Sequence, residues 1–260
     1  MYRIKSIVFG AVAYFLFVFN TFAQDSVAIA AQQPLTIGLH VGYSANSPAG
    51  GARNELDNMI SIFEETGSDN FKVEGSLPYQ YSPVVGLFAD YNYNRKIAFS
   101  TGINFTMRGY TMEVEGVDRD PEYQFDQFAN YTEKYKLTTI EVPVSIQYKP
   151  NNSLSLGAGL QIGSGIAQTS TTTTTISQRV EINGEANEEY PERTTTVEND
   201  LKEEVLSPYF GYFASAGYFL SKRMELKLSL LKSGNYAETT YGKLSDTSLI
   251  VSLRFGLLNL

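Results

Sequence analysis

The chain of 260 residues contains no cysteine, no tryptophan and a single histidine, His40. Without cysteine there is no disulfide, no thiolate metal site, no cysteine nucleophile and no lipid-modified cysteine anchor. Basic residues are also few: 20 lysines and arginines against 28 aspartates and glutamates give a formal net charge of −8. Nucleic-acid binding needs a basic footprint. We therefore expect no nucleic-acid partner, no cofactor and no metal site.

Long apolar runs are scarce as well. The one candidate, Ile7–Phe19, is shorter than the roughly 20 residues of a membrane-spanning helix. It follows a basic start and precedes a small-x-small cleavage pattern, which is typical of a secretory signal peptide. We expect residues 1–23 to be a signal peptide cleaved near Ala23/Gln24, and residues 24–34 to be a short periplasmic lead; an uncleaved anchor is the alternative. Any later membrane span must then be made of strands.

What the sequence does contain is alternation of apolar residues with small or polar ones. Residues 134–149 and 153–168 each place mainly aliphatic side chains on one face and small or polar residues on the other, and Pro150-Asn151-Asn152 separates them. A period of two predicts extended strands, and the Pro-Asn-Asn segment predicts a hairpin turn. The same pattern predicts eight strands: 35–44, 83–94, 97–110, 134–149, 153–168, 205–220, 223–232 and 246–258.

The connections between these strands alternate between long and short. This pattern predicts an all-β fold over residues 35–258, an eight-stranded antiparallel up-and-down transmembrane β-barrel with long extracellular loops and short periplasmic turns. The long loops are 45–80, with a short helix near Leu56–Phe63, then 111–132 and 169–204. For the last of these, a ribbon of continuing strands and a disordered low-complexity loop are both open.

A soluble barrel of the lipocalin type has the same period and is the alternative fold. Its polar face meets water and usually carries many charges, whereas here that face is rich in glycine and serine. Tyrosine also gathers near the strand ends, as in the aromatic girdles of membrane barrels. The pattern therefore favours the outer membrane, with lipid as the first partner.

The central hairpin resembles a known family. Glu141, Val142 and Pro143 lie in a strand that is followed by a turn and by the glycine-alternating segment 157–165. This arrangement is similar to that of the PorT-like outer-membrane β-barrel proteins of Gram-negative bacteria, and strands 35–44 and 248–258 are similar to the family's first and last strands. The resemblance implies an eight-stranded barrel in the outer membrane and no single activity.

Seven ionisable residues fall on faces predicted to point into the barrel. Buried charges must pair, so we expect a structural network of lumenal polar residues with no catalytic role. The residues of this predicted network are His40, Asp90, Arg108, Glu141, Glu225, Lys227 and Arg254.

Three functions follow from these expectations. The first is a non-enzymatic barrel with a filled lumen that contacts a protein or surface partner in assembly, secretion or adhesion, through loops 45–80, 111–132 and 169–204 or through its periplasmic side. The second is a small channel. The third is a lipid-modifying enzyme, for which His40 would have to be the catalytic base. The oligomeric state and the partner's identity are open at this stage.

Overall fold

The computed structural model of the chain describes residues 35–66, 71–120, 125–182, 185–187, 193–199 and 208–259. The predicted signal peptide and lead lie outside these residues. The described elements are twelve strands and one helix, in the order β1 (Leu35–Gly50), α1 (Gly51–Thr66), β2 (Lys72–Ser76), β3 (Gln80–Asn92), β4 (Ile97–Asp120), β5 (Phe125–Tyr148), β6 (Leu154–Ile182), β7 (Glu185–Asn187), β8 (Arg193–Asn199), β9 (Tyr209–Ser221), β10 (Met224–Ser233), β11 (Ala237–Thr239) and β12 (Gly242–Asn259).

Eight of these strands close into a barrel. Each of β1, β3, β4, β5, β6, β9, β10 and β12 pairs antiparallel with the next, and β12 pairs with β1 to complete the circle. The closing ladder runs from Thr36 opposite Asn259 to Gly50 opposite Leu244. The prediction of an eight-stranded antiparallel barrel is therefore confirmed.

The two ends of the barrel differ. At one end, which we call the short-turn end, the connections 93–96, 149–153 and 222–223 are tight. The Asn94 side chain accepts hydrogen bonds from the backbone N–H groups of Lys96 and Ile97, both at 2.8 Å. Asn151 caps the next turn in the same way. Short asparagine side chains thus replace a backbone turn bond at both sites. We call the opposite end the long-loop end.

The apolar residues of the barrel strands point outward. Leu87, Leu156 and Leu228 are 55%, 52% and 47% exposed, while their strand neighbours on the other face are buried. Tyr81 near the start of β3 and Tyr93 just after its end bracket this apolar band. At about 3.4 Å per residue and a tilt of about 40°, they are separated by about 30 Å along the barrel axis, enough to flank an apolar band about 25 Å tall. The outward-facing apolar surface therefore has the dimensions of a lipid contact.

Three strands continue well past the barrel. β4, β5 and β6 have 24, 24 and 29 residues, whereas a tilted spanning strand needs about 9–11. Beyond the barrel they form a sheet with β2 and β8 at its two sides, and we call this sheet the extension. The prediction that 111–132 is a loop is wrong, because Thr111–Asp120 and Phe125–Thr132 pair along their length. Outside the membrane both faces of a sheet can be polar, which removes the alternation used to find strands.

The other two predicted loops also contain regular structure. Region 45–80 holds the end of β1, α1 and β2, and the helix has 16 residues, twice the predicted length. In 169–204, β6 continues to Ile182 and pairs with β8. The ribbon alternative is thus right for the described part; 183–184, 188–192 and 200–204 lie outside it.

α1 follows β1 without a linker and lies across the long-loop end. Gly50 has φ of +68°, a left-handed conformation that glycine adopts without strain and that turns the chain inward. Leu56 and Ile60 then fall on one face of the helix, against the barrel mouth and Gly75 of β2. Asn54 donates from Nδ2 to the Tyr241 carbonyl at 3.0 Å, which fixes the helix to the β11–β12 turn. In the described chain no helix combines the length and apolar character that a membrane crossing requires.

Candidate functional site

The lumen near the short-turn end is filled by a charged cluster that we call the Arg254 layer: Arg254 on β12, Asp90 on β3, Glu225 on β10 and Phe88 on β3. Arg254 Nη2 lies 2.8 Å from Asp90 Oδ1, and Nη1 lies 2.8 Å from Glu225 Oε2. The guanidinium carbon stands 3.7 Å from the centre of the Phe88 ring. The two carboxylates bind the edge of the planar guanidinium, and the Phe88 ring stacks against its face.

Two further predicted residues lie beside this layer. Lys227 on β10 is buried between the same carboxylates and Arg254. His40 on β1 faces the lumen, with Nδ1 3.1 Å from Asn104 Oδ1. Ser155 on β6, two strands from β10, donates to Glu225. The structure thus brings five of the seven predicted residues into one half of the lumen.

The half nearer the long-loop end holds a second cluster, the Arg108 layer: Arg108 on β4, Glu141 on β5, Asp246 on β12 and Tyr209 on β9. Arg108 Nε and Nη2 lie 2.6 Å from Glu141 Oε1, and Nη1 lies 2.6 and 2.8 Å from the two Asp246 oxygens. Nε also donates to the Tyr209 hydroxyl at 2.9 Å, and that hydroxyl donates to Glu141. Arg108 is 2% exposed, so these contacts replace water entirely.

Sequence reasoning missed Asp246 and Tyr209. Asp246 has the same parity as Ser248, Ser252 and Arg254, which was a usable signal, but it stands at the predicted start of its strand. Tyr209 stands near the start of β9, where a tyrosine is as typical of an aromatic girdle as of a lumenal contact. Both side chains meet Arg108 from walls that are distant in the strand order, so only the closed barrel brings them together.

Above the Arg108 layer an apolar cluster closes the mouth. The Tyr110 and Tyr135 rings stack with centroids 5.6 Å apart, and Tyr209 meets Tyr236 edge-on at 6.0 Å. Leu56 of α1 is buried against this cluster. The remaining buried members are Ala52, Met112, Val114, Leu137 and Leu244. Helix and barrel thus share one apolar core.

At the edge of this core, α1 and the extension share a polar cluster, which we call the Glu55 cluster. The Tyr110 hydroxyl lies 2.8 Å from Glu55 Oε2 and 3.1 Å from Glu133 Oε1. Tyr131 donates to Glu133 Oε2 at 3.0 Å. Burial is the main cause that raises the pKa of Glu55; the Tyr110 hydrogen bond opposes it and the Glu133 charge adds to it. Within the described segments, no three histidine, cysteine or acidic side chains are grouped to hold a metal ion.

Comparison with solved structures found several similar proteins of low sequence identity. The Ail protein of Yersinia pestis, solved in complex with the heparin analogue sucrose octasulfate, is 11% identical; the match covers 86% of this chain and 99% of that one, with a TM-score of 0.36. Neisserial surface protein A is 8% identical, with 85% and 97% covered and a TM-score of 0.42. OprG from Pseudomonas aeruginosa is 9% identical, with 86% and 96% covered and a TM-score of 0.33. No curated protein matches the sequence.

A family model decides the assignment. The model described as "Outer membrane protein beta-barrel domain" matches residues 22–236, which is most of the chain. The match includes β1 to β10 and the whole extension; β12, which carries Arg254 and Asp246, follows it. The chain therefore belongs to the outer membrane protein beta-barrel domain family.

Proposed function

We propose that this protein is a non-enzymatic outer-membrane barrel that binds a protein or surface partner through its extension, in assembly, secretion or adhesion. The short turns would face the periplasm and the long-loop end the exterior, as in other outer-membrane barrels. The extension is the observation that carries the proposal. β5 has 24 residues, so at least about 13 of them, or about 40 Å of strand, lie outside a span of about 11 residues.

The shape of the extension supports a binding role. Its strands β4, β5 and β6 are paired continuously with those of the barrel, so it is a rigid continuation of the wall. Binding sites on rigid elements lose little conformational entropy when a partner docks. Its outer face is polar, with Glu115 on β4, Lys134 on β5 and Thr196 on β8 exposed. This composition fits a soluble or carbohydrate-bearing partner better than lipid.

The filled lumen argues against the small channel. Arg108 on β4 reaches Asp246 on β12, and Arg254 on β12 reaches Ser100 on β4, three strands apart around the barrel in each case. All of these side chains are buried. A small barrel filled in this way has a packed core and no pore. The charged layers act, in this proposal, as the internal support of the barrel.

The lipid-modifying alternative requires an activated nucleophile next to a base. His40 is the only histidine, and its Nδ1 contacts Asn104 on the lumenal side. A lipid substrate would lie on the opposite face of that strand. The placement of His40 therefore supports the non-enzymatic function.

The PorT-like resemblance of Glu141-Val142-Pro143 and the N-terminal pattern extend the proposal. We infer a Gram-negative source, export with a signal peptide cleaved near Ala23/Gln24, and a PorT-like subgroup within the family. N-terminal sequencing of the mature protein from outer-membrane fractions tests the cleavage site; a mature chain that begins at Met1 would contradict it.

The binding proposal is tested by trimming the extension in register. Ser170 pairs with Asn199, so residues 171–198 can be replaced by an Asn-Gly turn without moving the flanking strands. The trimmed protein should keep the heat-modifiable gel shift of a folded barrel. In native membranes, a photo-cross-linking residue at Thr196 of the full chain should give a discrete adduct, while one at lipid-facing Leu228 should not. No adduct at Thr196, or the same adduct at both sites, would contradict partner binding by this part of the extension.

A further inference from the structure

The Glu55 cluster has one hydrogen fewer than the number of hydrogen bonds that the positions of its oxygen atoms allow. The Tyr110 hydroxyl lies within hydrogen-bond distance of Glu55 Oε2 and Glu133 Oε1, yet it carries a single hydrogen. Tyr131 already donates its own hydrogen to Glu133. If Tyr110 donates its hydrogen to Glu133, the Tyr110 oxygen can still accept a hydrogen bond from Glu55. That hydrogen bond forms when the Glu55 carboxyl carries a proton.

The two carboxyl groups belong to different structural elements. Glu55 is on α1, whereas Glu133 is on β5 of the extension, and Tyr110 is on β4 between them. When both carboxyls are ionised, two like charges face each other across one hydroxyl at a half-buried site, where repulsion is stronger than in water. The repulsion acts on the contact between α1 and the sheet.

No basic side chain offsets this pair in the described contacts. From β4 the group facing Glu55 is Tyr110, and from β5 the groups are Glu133 and Tyr131. Lys72 and Glu74 on β2, Lys243 on β12, and Arg53 and Asp57 on α1 are exposed to solvent. The buried charges of β4 and β12, Arg108, Asp246 and Arg254, are paired within the two lumenal layers. β1 contributes only His40, which faces the lumen.

We propose that a proton on Glu55, hydrogen-bonded to the Tyr110 hydroxyl that Glu133 also contacts, latches α1 over the barrel mouth, so that α1 docks more tightly at acidic pH and loosens as the pH rises. The apolar cluster of Leu56, Tyr110 and Tyr135 provides most of the docking interaction, and the latch modulates it. Loosening exposes that cluster at the long-loop end.

The direction of the pH dependence follows from the coupling of proton binding by Glu55 to the docking of α1. In the docked state the pKa of Glu55 is raised above its ordinary value of 4.5. Docking is therefore strongest below that value and weakens as pH rises through the raised pKa. For one proton, the docking constant falls by at most about tenfold per pH unit in that window.

The absence of cysteine allows a direct test on the full-length protein in nanodiscs. Spin labels on Ser61→Cys in α1 and Lys243→Cys in β12 report the position of the helix. The distance between the labels is measured by pulsed electron paramagnetic resonance. We expect one narrow distance distribution at pH 5 and a second, broader population at pH 9. Glu55→Gln, whose amide donates to Tyr110 at every pH, should give the narrow distribution at both values.

The matched control is Glu64→Gln, which removes an exposed carboxylate from the same helix and should behave as the parent. The gel shift of the barrel should be unchanged in every variant and at both pH values. A parent distribution that does not change between pH 5 and pH 9 would overturn the latch. A pH response that survives in Glu55→Gln, or that disappears in Glu64→Gln, would overturn the assignment to this cluster.

Discussion

Replacing Arg108 with methionine should destabilise the barrel strongly, because the arginine is the cation of its layer. Arg108→Met keeps much of the side-chain volume and removes the charge. Glu141 and Asp246, 2% and 0% exposed, are then left buried without a counter-ion. Breaking a buried pair in this way costs about 3–5 kcal/mol, a large part of a typical stability of about 5–15 kcal/mol.

The assay is urea unfolding of the protein in lipid vesicles, followed by the heat-modifiable gel shift. The matched control is Arg108→Met combined with Glu141→Gln and Asp246→Asn, which removes the cation and both anions together. We expect the triple variant to recover most of the loss, because its buried groups are neutral. If Arg108→Met lies within about 1 kcal/mol of the parent, the layer does not support the barrel. A triple variant as unstable as the single one would show that packing, and not charge, is responsible.

Three further perturbations test other parts of the structure. Leu87→Lys places an ammonium in the lipid-facing band and should lower the free energy of unfolding by about 2–4 kcal/mol. The control Thr196→Lys, on the extension, should change that free energy by less than about 0.5 kcal/mol. Equal effects of the two variants in the urea titration would refute the lipid contact. Leu56→Ala should weaken docking of α1 by about 2–5 kcal/mol, seen as faster proteolytic cleavage within the helix while the gel shift remains; unchanged cleavage would contradict the shared core. Gly109 has φ of +135° and lies against the Tyr135 carbonyl, so Gly109→Ala should lower the free energy of unfolding by about 1–3 kcal/mol in the same titration. An unchanged free energy would show that β4 can relax at this position without strain.

The sequence predicts the barrel well because lipid imposes a strict alternation. Every spanning strand must present apolar groups to lipid on one face, so the period of two is visible in residues such as Leu226, Leu228 and Leu230. The opposite parity places Glu225 and Lys227 in the lumen. The eight strands and the inward position of these charges follow from one physical rule.

The parts that sequence reasoning could not supply depend on three-dimensional closure or lie outside lipid. Which charges meet is set by the stagger of the closed barrel, so the contact of Arg108 with Asp246 is not visible in the spacing of the two residues. In the extension the apolar residues Met112 and Val114 alternate with the exposed carboxylates Glu113 and Glu115, so the outward face is charged where a membrane strand is apolar. Residues 111–132 therefore resemble a polar loop. α1 is longer than predicted because the residues on either side of Leu56–Phe63, namely 51–55 and 64–66, are almost all small or polar and carry no helical apolar period.

Ion conductance in planar bilayers tests the central claim most directly, since that claim is that side chains fill the lumen and function resides in the extension. The purified protein, confirmed as folded by its gel shift, should insert without producing current steps at moderate voltage. Reproducible ohmic steps from the parent protein would mean that the Arg108 and Arg254 layers leave a continuous aqueous path, and would contradict the account.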